Sequence, residues 1–253
     1  MFAARFTTRS FFSSTVYREM CTASAPIMNN LENISKSQTA ALLQERCILV
    51  DEKDQVIGSA TKLDSHKWDP KEKSCPLHRA FSVFLFNTKG ELLLQQRSLD
   101  KVTFPGNYTN SCCSHPLYGG QEMDGVQGAV AAAMRRVNYE LGVPTDQMKA
   151  SDFQYLSRIL YSGHVPGSPF AEHEVDYIFF LQKDVTLQLN PEEVMSAQYV
   201  SRSDITQYLK KLEQEKVPIT PWFSLIVKHF LLKWWDNLSC LEQFQDHNTI
   251  HKL

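Results

Sequence analysis

The chain has 253 residues, a formal net charge of −2 and 21% charged residues. This length allows one domain of about 200 residues with a full hydrophobic core and an N-terminal extension. The near-neutral charge argues against nucleic acid as a partner, and no apolar run approaches the roughly 18 residues that span a bilayer. The six cysteines lack zinc-finger spacing and favour a reduced intracellular compartment.

The N-terminus has the composition of a mitochondrial transit peptide, with three arginines, several hydroxyl side chains and no acid in its first 18 residues. An ordinary tail is the alternative. We expect residues 1–39 to be presequence and linker, residues 40–253 to form the domain, and the full-length protein to be mitochondrial. Starts at Met20 or Met28 would give cytosolic or peroxisomal forms. The terminal His251-Lys252-Leu253 differs at one position from the peroxisomal Ser-Lys-Leu signal, a frayed end being the alternative.

The first predicted elements are strands. Residues 47–50 and 56–58 are apolar, β-forming runs on either side of a polar turn. Residues 81–86 form a stronger run, followed by the turn Asn87–Gly90 and a returning strand over residues 91–96. This pair predicts a β-hairpin.

The second half of the chain combines helix signals with one more strand signal. Apolar residues at helical spacing predict a helix over residues 124–141, which Gly142 would end. Residues 175–181 predict a buried strand. Ser201–Asp204 carries a signal like a capping box, and Thr220-Pro221 predicts the start of the last helix. The sum is an α+β fold, an α/β/α sandwich with a mixed β-sheet and flanking helices.

The loop Asn110–Pro116 combines a thiol, a hydroxyl and an imidazole within a few residues. Cys113 could act as an acid or base if its pKa were tuned by neighbours. His115 could bind a metal or relay a proton. A buried free cysteine beside a loop histidine is the alternative, because free cysteine is among the most buried residue types.

The end of the predicted helix resembles the Nudix signature. Arg136 and Tyr139 replace two of its glutamates, and only Glu140 keeps its place. A hydrolase of this kind needs several carboxylates to hold the Mg²⁺ ions that activate water, so one carboxylate suits diphosphate binding better than diphosphate cleavage. An ordinary surface helix is the alternative.

Further residues could form a metal and phosphate site. In an extended segment, Glu172 and Glu174 would face one side of the sheet and His173 the other. Lys62, Arg97 and Lys101 lie on or beside predicted strands, where they could bind a diphosphate or form a solvated basic edge. Three imidazoles and two carboxylates suit a borderline divalent metal, although any single histidine is more often an ordinary residue: His66, His78, His115, Glu172 and Glu174.

From about Cys47 to the C-terminus the sequence resembles the type 1 isopentenyl-diphosphate Δ-isomerases, Nudix-fold enzymes of isoprenoid synthesis. The motifs that carry the resemblance stand in the same order as in that family: Leu77–Val83, Gln95–Ser98, Thr103–Gly106, Cys113–Pro116, Glu172–Glu174 and Thr220–Phe223. The resemblance implies interconversion of isopentenyl and dimethylallyl diphosphate by protonation and deprotonation through a tertiary carbocation. Such a cation requires a dry pocket with π surface.

The resemblance also implies roles for particular residues. It makes Cys113 and Glu174 the catalytic groups on opposite faces of the substrate, Tyr161 the assistant of the carboxylate and Trp222 the cation-stabilising indole. The implied metal ligands are His66, His78, His115, Glu172 and Glu174, with Glu140 and the carbonyl of Cys113 for a second Mg²⁺ that arrives with the diphosphate. The implied substrate contacts are Lys62, Arg97, Lys101, Ser114 and Arg136.

The expected cofactor is Mg²⁺, with Mn²⁺ or Zn²⁺ as alternatives in the His/Glu site. The expected partner is a small isoprenoid diphosphate, bound by a monomer. Two segments depart from the family pattern: residues 66–78 are one residue longer than in vertebrate relatives, and residues 162–170 carry an apparent insertion that puts the role of Tyr161 in doubt. A Nudix diphosphohydrolase and a non-catalytic binding protein are the rival interpretations. The first predicts several helix carboxylates, and the second predicts loss of the thiol or of the catalytic carboxylate.

Overall fold

The computed structural model describes residues 35–253, so what was predicted for the first 34 residues lies outside the described part. Helix α1 (Lys36–Gln44) begins ahead of the domain boundary predicted at residue 40. It belongs to the same compact unit as the rest of the described chain. The Ser35 side chain accepts a hydrogen bond from the Gln38 amide and caps the helix, which explains why the helix begins there.

Ten strands form one mixed sheet in the described chain. In chain order they are β1 (Arg46–Val50), β2 (Val56–Thr61), β3 (His78–Phe86), β4 (Leu92–Arg97), β5 (Tyr108–Thr109), β6 (Cys112–Ser114), β7 (Phe153–His164), β8 (Ala171–Gln182), β9 (Val194–Val200) and β10 (Ile250–Lys252). The strands predicted at residues 47–50, 56–58, 81–86, 91–96 and 175–181 all fall largely within these elements.

Strand β3 is at the centre of the sheet. It pairs in parallel with β8 over its whole length, from His78 opposite Glu174 to Phe86 opposite Gln182. It also pairs antiparallel with β6 and contacts β1. The predicted hairpin is wrong in its pairing, because β3 and β4 pair only at Phe86 and Leu92. Strand β4 then diverges to pair with β9, since β8 and β6 already occupy the edges of β3.

Helices cover both faces of the sheet. They are α2 (Lys62–His66), α3 (Gly125–Leu141), α4 (Ile205–Gln214), α5 (Pro221–Ile226) and α6 (Leu232–Trp235), with a π-helical turn at Val227–Leu231 between the last two and 3₁₀ turns at Gly120–Met123, Thr145–Gln147, Ala150–Asp152 and Leu238–Phe244. Helix α3 ends at Gly142 in the left-handed conformation, as predicted. Thr220 is the N-cap residue of α5 and Pro221 its first residue, also as predicted. Ser201 and Asp204 hydrogen-bond each other just before α4 begins.

Alternation along the central strands builds two cores. Phe81, Val83 and Leu85 pack with α3 on one face, whereas Phe84 and Phe86 pack with α5 and α6 on the other. The molecule is therefore the three-layered α/β/α sandwich that the sequence predicts. The same alternation brings polar residues of β8 to the second face, near the end where β3 begins.

The C-terminus pairs with the edge of the sheet. Strand β10 runs parallel to β7, and the Leu253 amide donates to the Leu160 carbonyl at 3.0 Å. The final tripeptide is therefore an ordered strand end in this structure rather than a frayed one. Among the described helices, none combines the length and hydrophobicity that crossing a bilayer requires.

Candidate active site

Five histidine and glutamate side chains converge at the ends of four elements. One ligand atom from each lies within 4.8 Å of the others, and all five residues are buried. His66 ends α2, His78 begins β3, His115 follows β6, and Glu172 and Glu174 alternate along β8. His173 faces away and contacts the carbonyl of Cys75, so the predicted alternation of this strand is confirmed.

The chemistry of these groups fits a divalent metal. The Nδ1 atoms of His66 and His78 contact the carbonyls of Lys62 (2.6 Å) and Pro76 (2.8 Å), so each ring is oriented with its Nε2 toward the two carboxylates. His78 Nε2 has no hydrogen-bond partner and lies 3.6 Å from Glu174, and one oxygen of Glu172 lies 3.1 Å from His66 Nε2. Buried polar atoms with long or missing contacts are costly, and a cation would satisfy them together.

The ionisation of the cluster also suits a cation. Burial and the neighbouring His66 and His78 hold the pKa of His115 well below its ordinary range, so this ring keeps a lone pair. Burial opposes ionisation of Glu172, but attraction to His66 outweighs it and lowers the pKa of this carboxyl. Burial opposes protonation of His78, but its contact with Glu174 and attraction to Glu172 outweigh burial and raise its pKa, so a proton competes with a cation for this ring. The ionised carboxylates and the neutral His115 ring are ligands that suit a divalent ion.

Cys113 and Glu174 line one cavity beside this cluster. Burial raises the pKa of the Cys113 thiol to about 12, although Arg97 and Lys101 oppose the shift. The Arg97 guanidinium lies 3.6 Å from its sulfur. One oxygen of Glu174 accepts from the Tyr161 hydroxyl, and the other lies 2.7 Å from His115 Nε2. Burial opposes ionisation of Glu174, but contacts with His78 and Tyr161 outweigh burial and lower its pKa. A protonated thiol and an ionised carboxylate thus line one cavity.

Trp222 supplies aromatic surface to the cavity. Its ring centre lies 6.0 Å from that of Tyr161 and 5.5 Å from that of Phe104, and its Nε1 donates to Asn110. The Arg97 guanidinium stacks 5.6 Å from the centre of the indole. These contacts fix the indole plane, so the cavity has an aromatic surface beside the Arg97 guanidinium.

The predicted phosphate contacts divide into two groups. Lys62, Arg97, Lys101 and Ser114 line the cavity, whereas Arg136 and Glu140 do not. Arg136 and Glu140 instead form a buried ion pair at 2.7 Å. One oxygen of Glu140 therefore already contacts a cation, and the side-chain amide of Gln95 donates to the other oxygen at 3.2 Å.

Helix α1 supplies wall residues that the sequence did not indicate. Gln38 and Leu42 face the same cavity as the catalytic candidates. Gln38 lies inside the segment predicted to be presequence and linker. Ser35, followed by a helix-forming run, is a weak N-cap signal for this helix. No sequence pattern indicates which surface of the domain the helix covers.

Comparisons with known proteins define the class. Residues 76–223 match the model of the NUDIX domain. A crystal structure from Deinococcus radiodurans has a TM-score of 0.51 at 21% identity, covering 74% of this chain and 100% of its own, which supports the fold alone. The chain is thus a Nudix-domain protein.

Curated relatives define the family more narrowly. "Isopentenyl-diphosphate Delta-isomerase 1" of Mesocricetus auratus is 50% identical over 218 residues, covering 85% of this chain and 95% of that relative. The Mus musculus protein of the same name is 48% identical over 226 residues, covering 88% and 98%. The chain belongs to the isopentenyl-diphosphate Delta-isomerase family.

Proposed function

We propose that this protein interconverts isopentenyl diphosphate and dimethylallyl diphosphate. One observation carries the proposal: the Cys113 thiol and the Glu174 carboxylate line the same cavity. Isomerisation adds one proton at the terminal carbon of the double bond and removes one from the carbon two positions away. A pair of acid–base groups around one substrate meets that requirement.

The two groups exchange roles between the forward and reverse reactions. One delivers the proton and thereby makes a tertiary carbocation, and the other removes a proton to restore a double bond. The substrate gains and loses one proton, so its overall composition is unchanged. The Tyr161 hydroxyl donates to Glu174 and lines the cavity itself, so it assists the carboxylate in the proton transfer.

The aromatic surface of the cavity stabilises the intermediate. The indole face of Trp222 attracts positive charge through its quadrupole. Burial of this ring, which is only 3% exposed, limits the access of water that would trap a carbocation as an alcohol. The hydrocarbon part of the substrate therefore lies toward Trp222 and the diphosphate toward the basic residues.

Lys62, Arg97, Lys101 and Ser114 bind the diphosphate directly, with Arg136 adding positive charge from outside the cavity wall. The His/Glu cluster would hold a divalent metal, with Mg²⁺ proposed and Mn²⁺ or Zn²⁺ as alternatives. Glu140 with the Cys113 carbonyl would hold Mg²⁺ that accompanies the substrate, and Glu140 would then have to give up its contact with Arg136 or with Gln95. When bound, these ions supply positive charge that orients Glu174 and neutralises the diphosphate. His66, His78 and His115 contribute by fixing the carboxylates of β8.

The rival diphosphohydrolase is less well supported. Such an enzyme needs several carboxylates on α3, and in the last two turns of this helix Glu140 stands beside Arg135, Arg136 and Tyr139. Incubating the purified protein with isopentenyl diphosphate and Mg²⁺ separates the two activities. We expect dimethylallyl diphosphate without phosphate release, and phosphate release without that product would favour hydrolysis.

We also propose that the full-length protein is monomeric and enters mitochondria, with cytosolic or peroxisomal forms from the internal starts. The basic N-terminal composition motivates this, and residues 1–34 are outside the described structure. A fluorescent protein inserted so that the native N-terminus stays free should colocalise with mitochondria. A purely cytosolic signal would refute import, and sedimentation equilibrium would test the monomer.

A further inference from the structure

A buried glutamate outside the predicted site contacts two residues of the cavity wall, Gln38 and Lys101, and one residue beyond the wall, Arg136. Glu193 directly precedes β9, and its side chain is 4% exposed. One carboxylate oxygen accepts from Lys101 Nζ at 2.6 Å. The other lies 3.1 Å from Arg136 Nη2 and accepts from the side-chain amide of Gln38, through Nε2, at 2.8 Å. One carboxylate therefore contacts both a cation of the cavity wall and a cation beyond it.

We propose that Glu193 is a positioning residue for the diphosphate subsite. It holds the Lys101 ammonium and the Arg136 guanidinium in the orientation that the diphosphate requires, and it fixes α1 against them. This inference rests on the proposed function, because it assigns Glu193 to the binding of the same substrate. Glu193 itself does not line the cavity, so it acts through its neighbours.

Glu193 fixes Lys101 at two points. Its backbone carbonyl accepts from the Ser98 amide at 2.9 Å, and the Ser98 carbonyl accepts from the Lys101 amide at 3.3 Å. The base of the lysine loop and the tip of the lysine side chain are thus held by the same residue. A lysine has a flexible stem with several rotamers, so fixing both ends removes most of its freedom before a ligand binds.

The charges around Arg136 support the same role. This guanidinium lies between the carboxylates of Glu140 and Glu193, and it is itself buried. A buried guanidinium and a largely buried ammonium therefore face two buried carboxylates. Without Glu193, the Lys101 ammonium would lose the carboxylate it contacts at 2.6 Å. Donors that are oriented before binding add affinity because the ordering cost is already met.

The test compares Glu193→Gln with Glu192→Gln, which makes the same change of charge one residue away. The Glu192 carboxylate accepts from Ser37 of α1 but pairs with no cation of the described chain, so this control separates loss of a contact with α1 from loss of the contact with Lys101. We expect Glu193→Gln to raise both the KM for isopentenyl diphosphate and the Kd for inorganic pyrophosphate with Mg²⁺ by about tenfold. The kcat should stay within about twofold, because Cys113 and Glu174 are untouched. Glu192→Gln should leave both constants within about twofold.

Several results would overturn the inference. A merely structural glutamate would lower the folded fraction and leave KM and Kd unchanged, and a glutamate that competes with the substrate would lower them on removal. If wild-type protein binds pyrophosphate but does not isomerise, the proposed function fails while the pyrophosphate comparison still judges Glu193.

A double-mutant cycle with Lys101→Met tests the route of action. In that background, Glu193→Gln should raise the Kd for pyrophosphate by less than about threefold, because the main partner is already absent. A further full tenfold rise would show that Glu193 does not act through Lys101. The double variant removes both charges of the pair, so it keeps the test available if Glu193→Gln alone fails to fold.

Discussion

At the scale of residues, two adjacent cysteines differ in chemical environment because they lie on opposite faces of the sheet. Cys112 is fully buried in the core under α3, whereas Cys113 packs on the opposite face of the sheet and lines the cavity. Alternation along β6 produces this division. Burial raises the pKa of Cys113 to about 12, so the group that faces the substrate is a thiol.

Cys113→Ala should lower the isomerisation rate by about 10³-fold, because it removes one of the two proton-transfer groups. Cys112→Ala is the matched control and should retain turnover, with a modest loss of stability from the small cavity it creates. Product formation would be followed by chromatography of labelled substrate. An unchanged rate in Cys113→Ala would exclude the thiol from the mechanism.

The His/Glu cluster predicts a matched pair of histidine variants. His78→Ala should weaken metal retention by at least about 100-fold, since it deletes a buried ligand. His173→Ala should retain the metal. His173 lies between the two glutamates in sequence, but its ring points to the other face of the sheet and contacts the Cys75 carbonyl. Metal content would be measured by plasma mass spectrometry after dialysis. Dialysis against a chelator should also lower the Tm of the wild-type protein, because a ligand bound only by the folded state stabilises it.

At the scale of elements, helix α3 depends on its two glycine contacts. The Cα of Gly128 faces the Glu122 carbonyl so closely that a Cβ would lie 2.4 Å from that oxygen. Gly142 ends the helix with a φ of 65°, and its amide donates to the Asn138 carbonyl. The turn at Gly142 then allows the chain at Gln188 to pair against the helix end. The helix therefore ends where backbone conformation and close packing both require glycine.

Gly142→Ala should reduce the free energy of unfolding by about 3 kcal/mol, combining a left-handed backbone with a steric clash. A Cβ there would lie 2.0 Å from the Gln188 carbonyl oxygen. Gly167→Ala is the control for backbone strain alone, since its φ is also positive and nothing lies within 4 Å of the added Cβ. We expect about 1 kcal/mol for the control in urea denaturation. Equal losses would remove the clash from the explanation.

At the scale of the whole molecule, one buried carboxylate joins four segments that are distant in sequence. Asp54, in the turn between β1 and β2, accepts from Arg79 of β3 at 2.8 Å and from Arg158 of β7 at 3.1 Å. It also accepts from the Tyr177 hydroxyl on β8. Arg158 in turn donates to the His247 carbonyl just before β10. The turn, the centre of the sheet and the C-terminal segment are therefore coupled.

Asp54→Asn should lower the free energy of unfolding by about 3 kcal/mol, because it leaves two arginines without their buried counter-charge. Asparagine tolerates the left-handed backbone of this position, where φ is 63°, so backbone strain does not contribute to the expected loss of stability. Glu52→Gln in the same turn removes only an exposed pair with Lys252 and should cost under about 0.5 kcal/mol. Similar losses in the two variants would contradict a special role for Asp54.

The sequence alone determined the class of fold, because the apolar run over residues 175–181 indicates a buried strand and the helical spacing in α3 reports which of its faces is buried. It also identified the thiol loop and the alternation that separates His173 from Glu172 and Glu174. The pairing of β4 could not be read in this way. A hairpin turn brings β3 and β4 together locally, but β6 and β8 can pair with the same edges of β3. Which strands pair with β3 depends on contacts that form only in the folded sheet.

What only the tertiary structure decided is the assembly of the cavity from distant segments. Nothing in the pattern around Gln38 indicates that α1 covers the site, and Glu193 resembles any surface glutamate before a strand. Their roles depend on contacts with Lys101 and Arg136, which are 92 and 57 residues from Glu193 in sequence. Periodicity encodes burial along one element, whereas charge pairing across elements depends on distances that only folding sets.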